Sequence, residues 1–262
     1  MASEWRTEKI HVAGTDLTFI RGGSGRPLLV LHEELGHPGW LRWHSELARD
    51  REILIPIQPG FSGTERIDWI ANMRDLAGFY GRVAREMKLT PVDVIGFSTG
   101  GWVAAEMAAQ NSQQFRKMVL VAPAGIRPPA GEIMDIFTVT ARTYLASTVL
   151  DQNNTPEFSK LYGGERTPEQ FEAFEDARSE IARLAWEPYF FSPSLPRLLE
   201  GVAGLPALII WGRQDPVIPL SAGEVYNQSI AGSRLAVLDR CGHRPEIEKT
   251  GEFIKLLRDF LA

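Results

Sequence analysis

Five short aliphatic runs divide the chain, and they limit its fold more than any other feature. They are nearly free of polar residues and lie at residues 28–31, 53–57, 92–97, 118–121 and 207–211. Runs of this kind are typical of strands that are covered on both faces, as in a parallel sheet. Helix-like patterns separate them at residues 43–49, 67–87 and 101–110. The alternation predicts an α/β fold with a doubly wound, mostly parallel sheet.

Weaker signals extend this core toward both ends of the chain. Residues 11–21 alternate between apolar and polar types and end in a glycine-rich stretch, which predicts an antiparallel hairpin leading into the sheet. Near the other end, residues 234–238 predict one more strand and residues 251–261 predict a terminal helix.

The alternation stops after residue 126. Residues 127–199 hold aromatic, helix-like segments without a convincing aliphatic strand, and we interpret them as an inserted helical cap. One helix start is marked by Thr167-Pro168-Glu169-Gln170, with Thr at the N-cap and Pro at the first helical position. We therefore expect an α/β core from 1–126 and 200–262, with the cap at 127–199 between its two parts.

Composition narrows the function classes. The formal net charge of -5 lacks the basic excess that binding to nucleic acid requires. No run is apolar over the length needed to span a bilayer, and the polar start at residues 1–6 lacks a secretory signal, so we expect a cytoplasmic protein without membrane binding. The one cysteine, Cys241, cannot form an internal disulfide. Without a metal-binding motif, we expect no metal and no cofactor. The oligomeric state stays open.

A candidate nucleophile lies where an aliphatic run meets a strong helix former. The motif Gly96-Phe97-Ser98-Thr99-Gly100 has the G-x-S-x-G pattern in a strand-to-helix context. A serine on such a turn projects at a helix N-terminus, where backbone N–H groups and the helix dipole stabilise an oxyanion. The pattern alone is also met in ordinary glycine-rich turns, but the context favours a catalytic Ser98.

A serine hydroxyl needs a base, and the chain has five histidines. His243 follows a late strand, on a loop of the kind where open α/β sheets place their sites. Asp215 follows the preceding predicted strand and is the candidate acid that orients His243. Each has an ordinary structural alternative, a packed loop histidine and a turn-capping aspartate. The chain order Ser98, Asp215, His243 nevertheless matches the order described for one class of serine hydrolases.

These motifs, together with Gly212-Arg213-Gln214-Asp215-Pro216 and Cys241-Gly242-His243-Arg244-Pro245, resemble those of the α/β-hydrolase superfamily over nearly the whole chain. The resemblance is to its small capped esterases, C–C hydrolases and lactonases. It implies a carboxylesterase-type serine hydrolase with the triad Ser98, Asp215 and His243. It also implies that one backbone oxyanion donor is the N–H of Thr99.

The family's second oxyanion donor follows an early strand, where this chain reads Leu31-His32-Glu33-Glu34. Glu33 stands where the family usually has glycine. Position by position, the resemblance makes the backbone N–H of Glu34 the second donor and His32 structural. We expect the side chains of Glu33 and Glu34 to hydrogen-bond within their own loop, because an unpaired carboxylate beside an oxyanion would repel it.

The resemblance places an acyl pocket between core and cap. The side chains predicted to bind substrate there are mostly aromatic: Glu33, Trp40, Trp102, Phe137, Tyr144, Trp186, Phe190 and, in the same run, Phe191. Such a lining suits an apolar substrate. A small, neutral carboxylic ester is therefore the simplest prediction.

Other functions remain open. A C–C bond hydrolase or a lactonase uses the same triad, whereas dehalogenases and epoxide hydrolases of this type carry an aspartate nucleophile in place of Ser98. Perhydrolase side activity is open as well. A hypothesis outside the enzymes is a non-catalytic receptor that binds a small molecule beneath the cap.

Overall fold

The computed structural model describes residues 5–164 and 167–262, and they contain one eight-stranded sheet with the order β1-β2-β4-β3-β5-β6-β7-β8. The strands are β1 (Trp5–Val12), β2 (Thr15–Gly23), β3 (Arg26–Leu31), β4 (Arg51–Pro56), β5 (Val92–Phe97), β6 (Phe115–Val121), β7 (Ala207–Gly212) and β8 (Arg234–Leu238). β1 and β2 pair in antiparallel fashion and β2 joins β4 in the same way, while β3 to β8 are parallel. The predicted α/β fold is confirmed. Residues 1–4, part of the polar start used above, lie outside the described residues.

The predicted strands are confirmed, most closely where the aliphatic runs are longest. β5 and β8 coincide with the predicted ranges, and β3, β4, β6 and β7 contain or closely overlap theirs. The hairpin is present, but its turn lies at Ala13-Gly14, both with positive φ, so the predicted range 11–21 covers only its middle. Along β5, Val92 and Val94 pack in one core cluster, while Ile95 and Phe97 pack in the other. This alternation shows why a doubly covered strand is apolar throughout.

The helices are α1 (Arg42–Leu47), α2 (Met73–Glu86), α3 (Thr99–Gln110), α4 (Ala141–Ser147), α5 (Pro168–Ala185), α6 (Leu195–Leu199), α7 (Leu220–Ser229), α8 (Pro245–Glu248) and α9 (Thr250–Leu261). Apolar residues of α2, α3 and α7 fill one core cluster, and those of α1 and α9 fill the other. α2 begins at its N-cap Asn72, whose side chain accepts from the N–H of Asp75, so the predicted start at residue 67 was six residues early.

The segment between β6 and β7 is helical as far as it is described. It contains α4, α5 and α6, together with short 3-10 helices at Gln152–Asn154 and Phe158–Gly163. α5 begins as the sequence predicts, since Thr167 is its N-cap, its side chain accepts from the N–H of Gln170, and Pro168 is its first residue. The boundaries 127 and 199 of a separate cap domain remain a prediction. In the part of the chain that the structure describes, no helix is long and apolar enough to cross a lipid bilayer.

One residue, Ser98, separates the end of β5 from the start of α3, and glycine makes this short connection fit. An added Cβ at Gly100 would collide with the backbone carbonyl oxygens of Leu31 and His32, at the end of β3. An added Cβ at Gly96 would collide with the Gly100 backbone. Close approach of three backbone segments therefore fixes the position of the turn.

We expect Gly100→Ala to lower the free energy of unfolding by about 1–3 kcal/mol, because the added methyl overpacks a contact between backbones that cannot move apart cheaply. The measurement is urea denaturation followed by circular dichroism. Gly251→Ala in α9 is the matched control, because a Cβ there meets no described atom within 4 Å. The control should change stability little or increase it by up to about 1 kcal/mol. Equal effects of the two substitutions would contradict the close-packing argument.

Candidate active site

Ser98 has a strained backbone at the turn between β5 and α3. Its φ of 46° and ψ of -114° lie outside the regions that residues other than glycine commonly adopt. Its N–H donates to the carbonyl of Val121 at 2.9 Å, and its carbonyl accepts from the N–H of Ala124 at 3.0 Å, so the end of β6 supports the turn. This is the sharp strand-to-helix geometry that exposes a nucleophile at the top of a parallel sheet.

Asp215 and His243 are in direct contact, although 28 residues separate them. His243 Nδ1 lies 2.8 Å from Asp215 Oδ2, and both side chains are buried. The other carboxylate oxygen, Oδ1, accepts from the N–H groups of Val217 at 2.8 Å and Ile218 at 3.0 Å. Asp215 therefore caps its own turn and also holds the imidazole, so both interpretations of this residue from the sequence apply at once.

The loop after β3 contacts the turn that holds Ser98 and also acts on His243. Gly100, two residues after Ser98, packs against the carbonyls of Leu31 and His32, and Glu34 in the same loop acts electrostatically on His243. Ser98 Oγ and His243 Nε2 are both buried, and neither has a hydrogen-bond partner among the described residues. The serine–histidine hydrogen bond is thus not formed, which is common before substrate binds.

The site is closed to solvent. Ser98 is 2% exposed and His243 is 4% exposed. On one side the segment after α4 covers the site, since the N–H of His243 donates to the carbonyl of Thr148 at 2.8 Å. Burial therefore shields both side chains from water.

The pKa of His243 is raised from its ordinary 6.5 to about 9. Burial favours the neutral imidazole, but the charge of Asp215 and its hydrogen bond to Nδ1 outweigh burial, and the charge of Glu34 adds to them. Arg244 opposes the rise. Because the imidazole must be neutral to accept a proton, the fraction of the competent base increases as the pH rises toward that value.

Glu33 does not bond within its own loop, so that expectation was wrong. Its Oε1 accepts hydrogen bonds from Arg244 Nη2 and from the hydroxyl of Tyr162, which lies 2.5 Å away. Burial raises the pKa of Glu33 above its usual range, although the Arg244 guanidinium opposes this. Glu33 is the partner of a buried arginine, and its assignment as a substrate-binding residue stays a prediction.

Glu34 also reaches outside its loop, which corrects the same expectation. The hydroxyl of Tyr144, in α4, donates to Glu34 Oε1. Glu34 is fully buried, and its Oε2 has no hydrogen-bond partner among the described residues. Its side chain thus lies between the covering helix and His243.

His32 has a structural environment, as the resemblance implied. Its Nδ1 lies 2.9 Å from the carbonyl of Glu33, and its Nε2 accepts from the N–H of Gln58 at 2.9 Å. Both ring nitrogens are therefore occupied when the imidazole is neutral and protonated on Nδ1. Burial lowers the pKa of His32 to about 4, so the ring stays neutral near pH 7.

The remaining predicted substrate residues occupy different surroundings. Trp40 stacks on Trp5 and on His44. Trp102 is buried, and its Nε1 donates to Glu106 at 3.3 Å. Three of the predicted substrate residues, Phe137, Trp186 and Phe190, form an aromatic cluster together with Tyr189. Trp186 is 54% exposed in this closed form, and Phe191 lies beneath the guanidinium of Arg127. Tyr144 contacts Glu34 directly, and the others stay predictions as substrate contacts.

Arg244 is the residue that sequence reasoning missed. It is buried beside His243, and its Nε donates to Thr148 Oγ1 at 2.9 Å. Its Nη1 lies 3.5 Å from Glu246 Oε1, and burial raises the pKa of Glu246 to about 7 although Arg244 opposes this. The sequence offered one usable signal: an arginine stands next to the candidate base, and Glu33 stands where glycine is usual.

The comparisons with known proteins agree with this geometry. Residues 28–256 match the model of a family described as the alpha/beta hydrolase family. The chain belongs to the alpha/beta hydrolase family. It is 29% identical to 2-hydroxymuconate semialdehyde hydrolase of Pseudomonas sp. (strain CF600), over 97% of this chain and 93% of that protein. It is 27% identical to the monoacylglycerol lipase ABHD6 of Mus musculus, over 94% of this chain and 80% of that protein.

A solved structure supports the same fold. A meta-cleavage product hydrolase from Pseudomonas fluorescens IP01 aligns with a TM-score of 0.78 at 22% identity, over 97% of each chain. The names of the two relatives differ in the activity they state, since one is a 2-hydroxymuconate semialdehyde hydrolase and the other a monoacylglycerol lipase. The family therefore supports an enzyme and leaves its substrate to the chemistry of the site.

We expect the His243 imidazole to titrate near pH 9, well above 6.5, because two carboxylates favour its charged form. NMR titration of the imidazole, assigned by comparison with His243→Ala, measures this directly. In Glu34→Gln one negative charge is removed, so the midpoint should fall. A midpoint near 6.5 in the unmodified protein, unchanged in Glu34→Gln, would contradict the electrostatic account.

Proposed function

We propose that this protein is a serine hydrolase that cleaves a small, apolar carboxylic ester through an acyl-enzyme intermediate on Ser98. The observation that carries the proposal is the strained Ser98 turn on the same strand-end edge as the buried Asp215–His243 pair. A buried imidazole that is held by a carboxylate through Nδ1 leaves Nε2 available to take a proton.

In the first half-reaction, Ser98 Oγ attacks the ester carbonyl carbon and His243 Nε2 takes the hydroxyl proton. Asp215 stabilises the resulting imidazolium through the hydrogen bond at Nδ1. The negative charge moves to the carbonyl oxygen, for which we propose the backbone N–H groups of Thr99 and Glu34 as donors. Thr99 is the first residue of α3, so its N–H has no carbonyl partner within the helix. The C–O bond to the alcohol then breaks, and His243 donates its proton to the leaving alkoxide.

In the second half-reaction, water attacks the acyl-enzyme. His243 takes one proton from the water, and the oxygen bonds to the acyl carbon. When this tetrahedral species collapses, Ser98 Oγ leaves and regains a proton from His243, and the carboxylic acid is released. The serine and the histidine return to their starting states.

The charges around the site favour an uncharged ester. Asp215, Glu33 and Glu34 are all buried near His243, and Arg244 is the buried arginine that lies among them. A carboxylate on the substrate would add another negative charge to this environment. 2-Hydroxymuconate semialdehyde, which the name of the Pseudomonas relative contains, is a carboxylate of this kind. The charges around His243 therefore favour an uncharged ester over that compound.

A C–C bond hydrolase remains the second candidate, because the Pseudomonas relative at 29% identity is named a 2-hydroxymuconate semialdehyde hydrolase. A lactonase would use the same groups. The three activities can be compared on one preparation with butanoate esters, γ-lactones and a dienoate ring-cleavage product. We expect the esters to be turned over most efficiently, and a preference for the dienoate would favour the C–C hydrolase.

We expect a fluorophosphonate probe to label the protein and Ser98→Ala to abolish the label, because the probe captures an activated serine. Ester turnover in Ser98→Ala should fall by at least about 10⁴-fold. Gel fluorescence and an ester assay measure the two effects. Ser62→Ala is a suitable control, since this other serine with positive φ lies outside the proposed machinery. A folded protein that is not labelled would favour the receptor interpretation.

Glu34→Ala should change kcat for a plain alkyl ester by less than about tenfold, because the substitution keeps the backbone N–H that we assign to the oxyanion. The measurement is steady-state kinetics with propyl butanoate. A loss as severe as that of Ser98→Ala would overturn the proposal that only the backbone of Glu34 acts in the hydrolysis of a plain alkyl ester.

A further inference from the structure

Unlike Asp215 and Glu33, Glu34 forms no salt bridge among the described residues, and one of its carboxylate oxygens has no hydrogen-bond partner there. Asp215 is bonded to His243 and to two backbone N–H groups, and Glu33 is bonded to Arg244 and Tyr162. Glu34 is as deeply buried, yet within the described ranges it forms no salt bridge and accepts only the Tyr144 hydroxyl, on Oε1. Leaving a buried carboxylate oxygen without a donor costs free energy, so such a group is retained for a reason.

The free oxygen belongs to a residue of the proposed reaction site. Tyr144 occupies Oε1, and the charge of Glu34 contributes to the raised pKa of His243. The backbone N–H of Glu34 is the proposed oxyanion donor. A glutamate carboxylate lies within about 5 Å of its own backbone nitrogen, so the free oxygen is a few bonds away from any scissile carbonyl held there.

We propose that Glu34 Oε2 accepts a hydrogen bond from a donor on the substrate, a hydroxyl or an ammonium group one to three bonds from the scissile ester linkage. This inference rests on the proposed function for the position of the ester, and it adds a specificity determinant. Tyr144 holds Oε1, which leaves Oε2 as the carboxylate oxygen that can accept from the substrate.

Hydrogen bonds to a charged acceptor are worth more than neutral ones, and a buried acceptor left unpaired penalises a substrate that lacks the donor. The site should therefore prefer a donor-bearing ester over an ester of the same size and shape without the donor. We expect a difference on the order of ten- to a hundredfold in affinity.

The test measures binding to Ser98→Ala, in which turnover is blocked, by calorimetry. Two neutral pairs place the donor on either side of the linkage: propyl against 2-hydroxyethyl butanoate, and propyl butanoate against propyl 3-hydroxybutanoate. A charged pair compares 2-(dimethylammonio)ethyl with 2-(trimethylammonio)ethyl butanoate, which differ in the N–H donor. Tighter binding of the donor member in at least one pair is expected, and the pair that responds identifies a hydroxyl or an ammonium group.

Ser98→Ala/Glu34→Gln should lose most of that preference, whereas Ser98→Ala/Ser62→Ala, which keeps both the Glu34 carboxylate and Tyr144, should retain it. If the glutamine variant does not fold, Glu34→Asp withdraws the carboxylate by one methylene and should lose the preference in the same way. Equal binding within every pair, no binding of any ester, or a preference that persists without the Glu34 carboxylate would overturn the inference.

The outcomes separate this inference from the proposed function. An unmodified protein that is labelled at Ser98 and hydrolyses propyl butanoate as readily as the hydroxy esters would keep the hydrolase and overturn the role of Glu34. A donor preference in Ser98→Ala, together with an unmodified protein that neither labels nor hydrolyses, would keep the role of Glu34 and overturn the hydrolase.

Discussion

The buried guanidinium of Arg244 holds together the three segments on which the site depends. It bonds to Glu33 in the loop after β3, to Thr148 after α4, and it is covalently next to His243. Tyr162, from the segment before α5, donates to the same Glu33 oxygen. A buried guanidinium is stable only when hydrogen-bond acceptors and an opposite charge surround it. The need to supply these partners to Arg244 therefore fixes the three segments relative to one another. The backbone of Thr148, which accepts from the N–H of His243, is positioned by the same contact.

The parts of the fold that the sequence predicts are those with local or periodic signals. Val92–Phe97 is apolar because both faces of β5 are covered, and Thr167 precedes Pro168 because an N-cap needs an acceptor side chain. The start of α2 was misjudged because residues 67–72 are apolar enough to continue its pattern, whereas the cap at Asn72 decides where it begins. The turn of the first hairpin was missed because Ala13 adopts a positive φ that its residue type does not announce.

The residues of the candidate site also fall into two groups, those that local sequence signals predict and those that only packing positions. Ser98, Asp215 and His243 could be proposed from the sequence because each follows a recognisable strand, and parallel strands end at one edge. The surroundings of Glu33 and Glu34 could not, because their partners Arg244, Tyr162 and Tyr144 lie more than 100 residues away in the chain. Only packing decides which distant hydroxyl or guanidinium meets a buried carboxylate. We expected hydrogen bonds within the loop because buried carboxylates need partners and the loop holds the nearest ones in the sequence.

The covering segment therefore has two effects on the chemistry. Tyr144 bonds to Glu34, and Thr148 accepts from the His243 backbone N–H, so this segment positions both groups. Glu34 and His243 are buried as well, so the charge of Glu34 is little screened by water and adds to that of Asp215 in raising the pKa of His243. The packing that positions the imidazole therefore also sets its proton affinity.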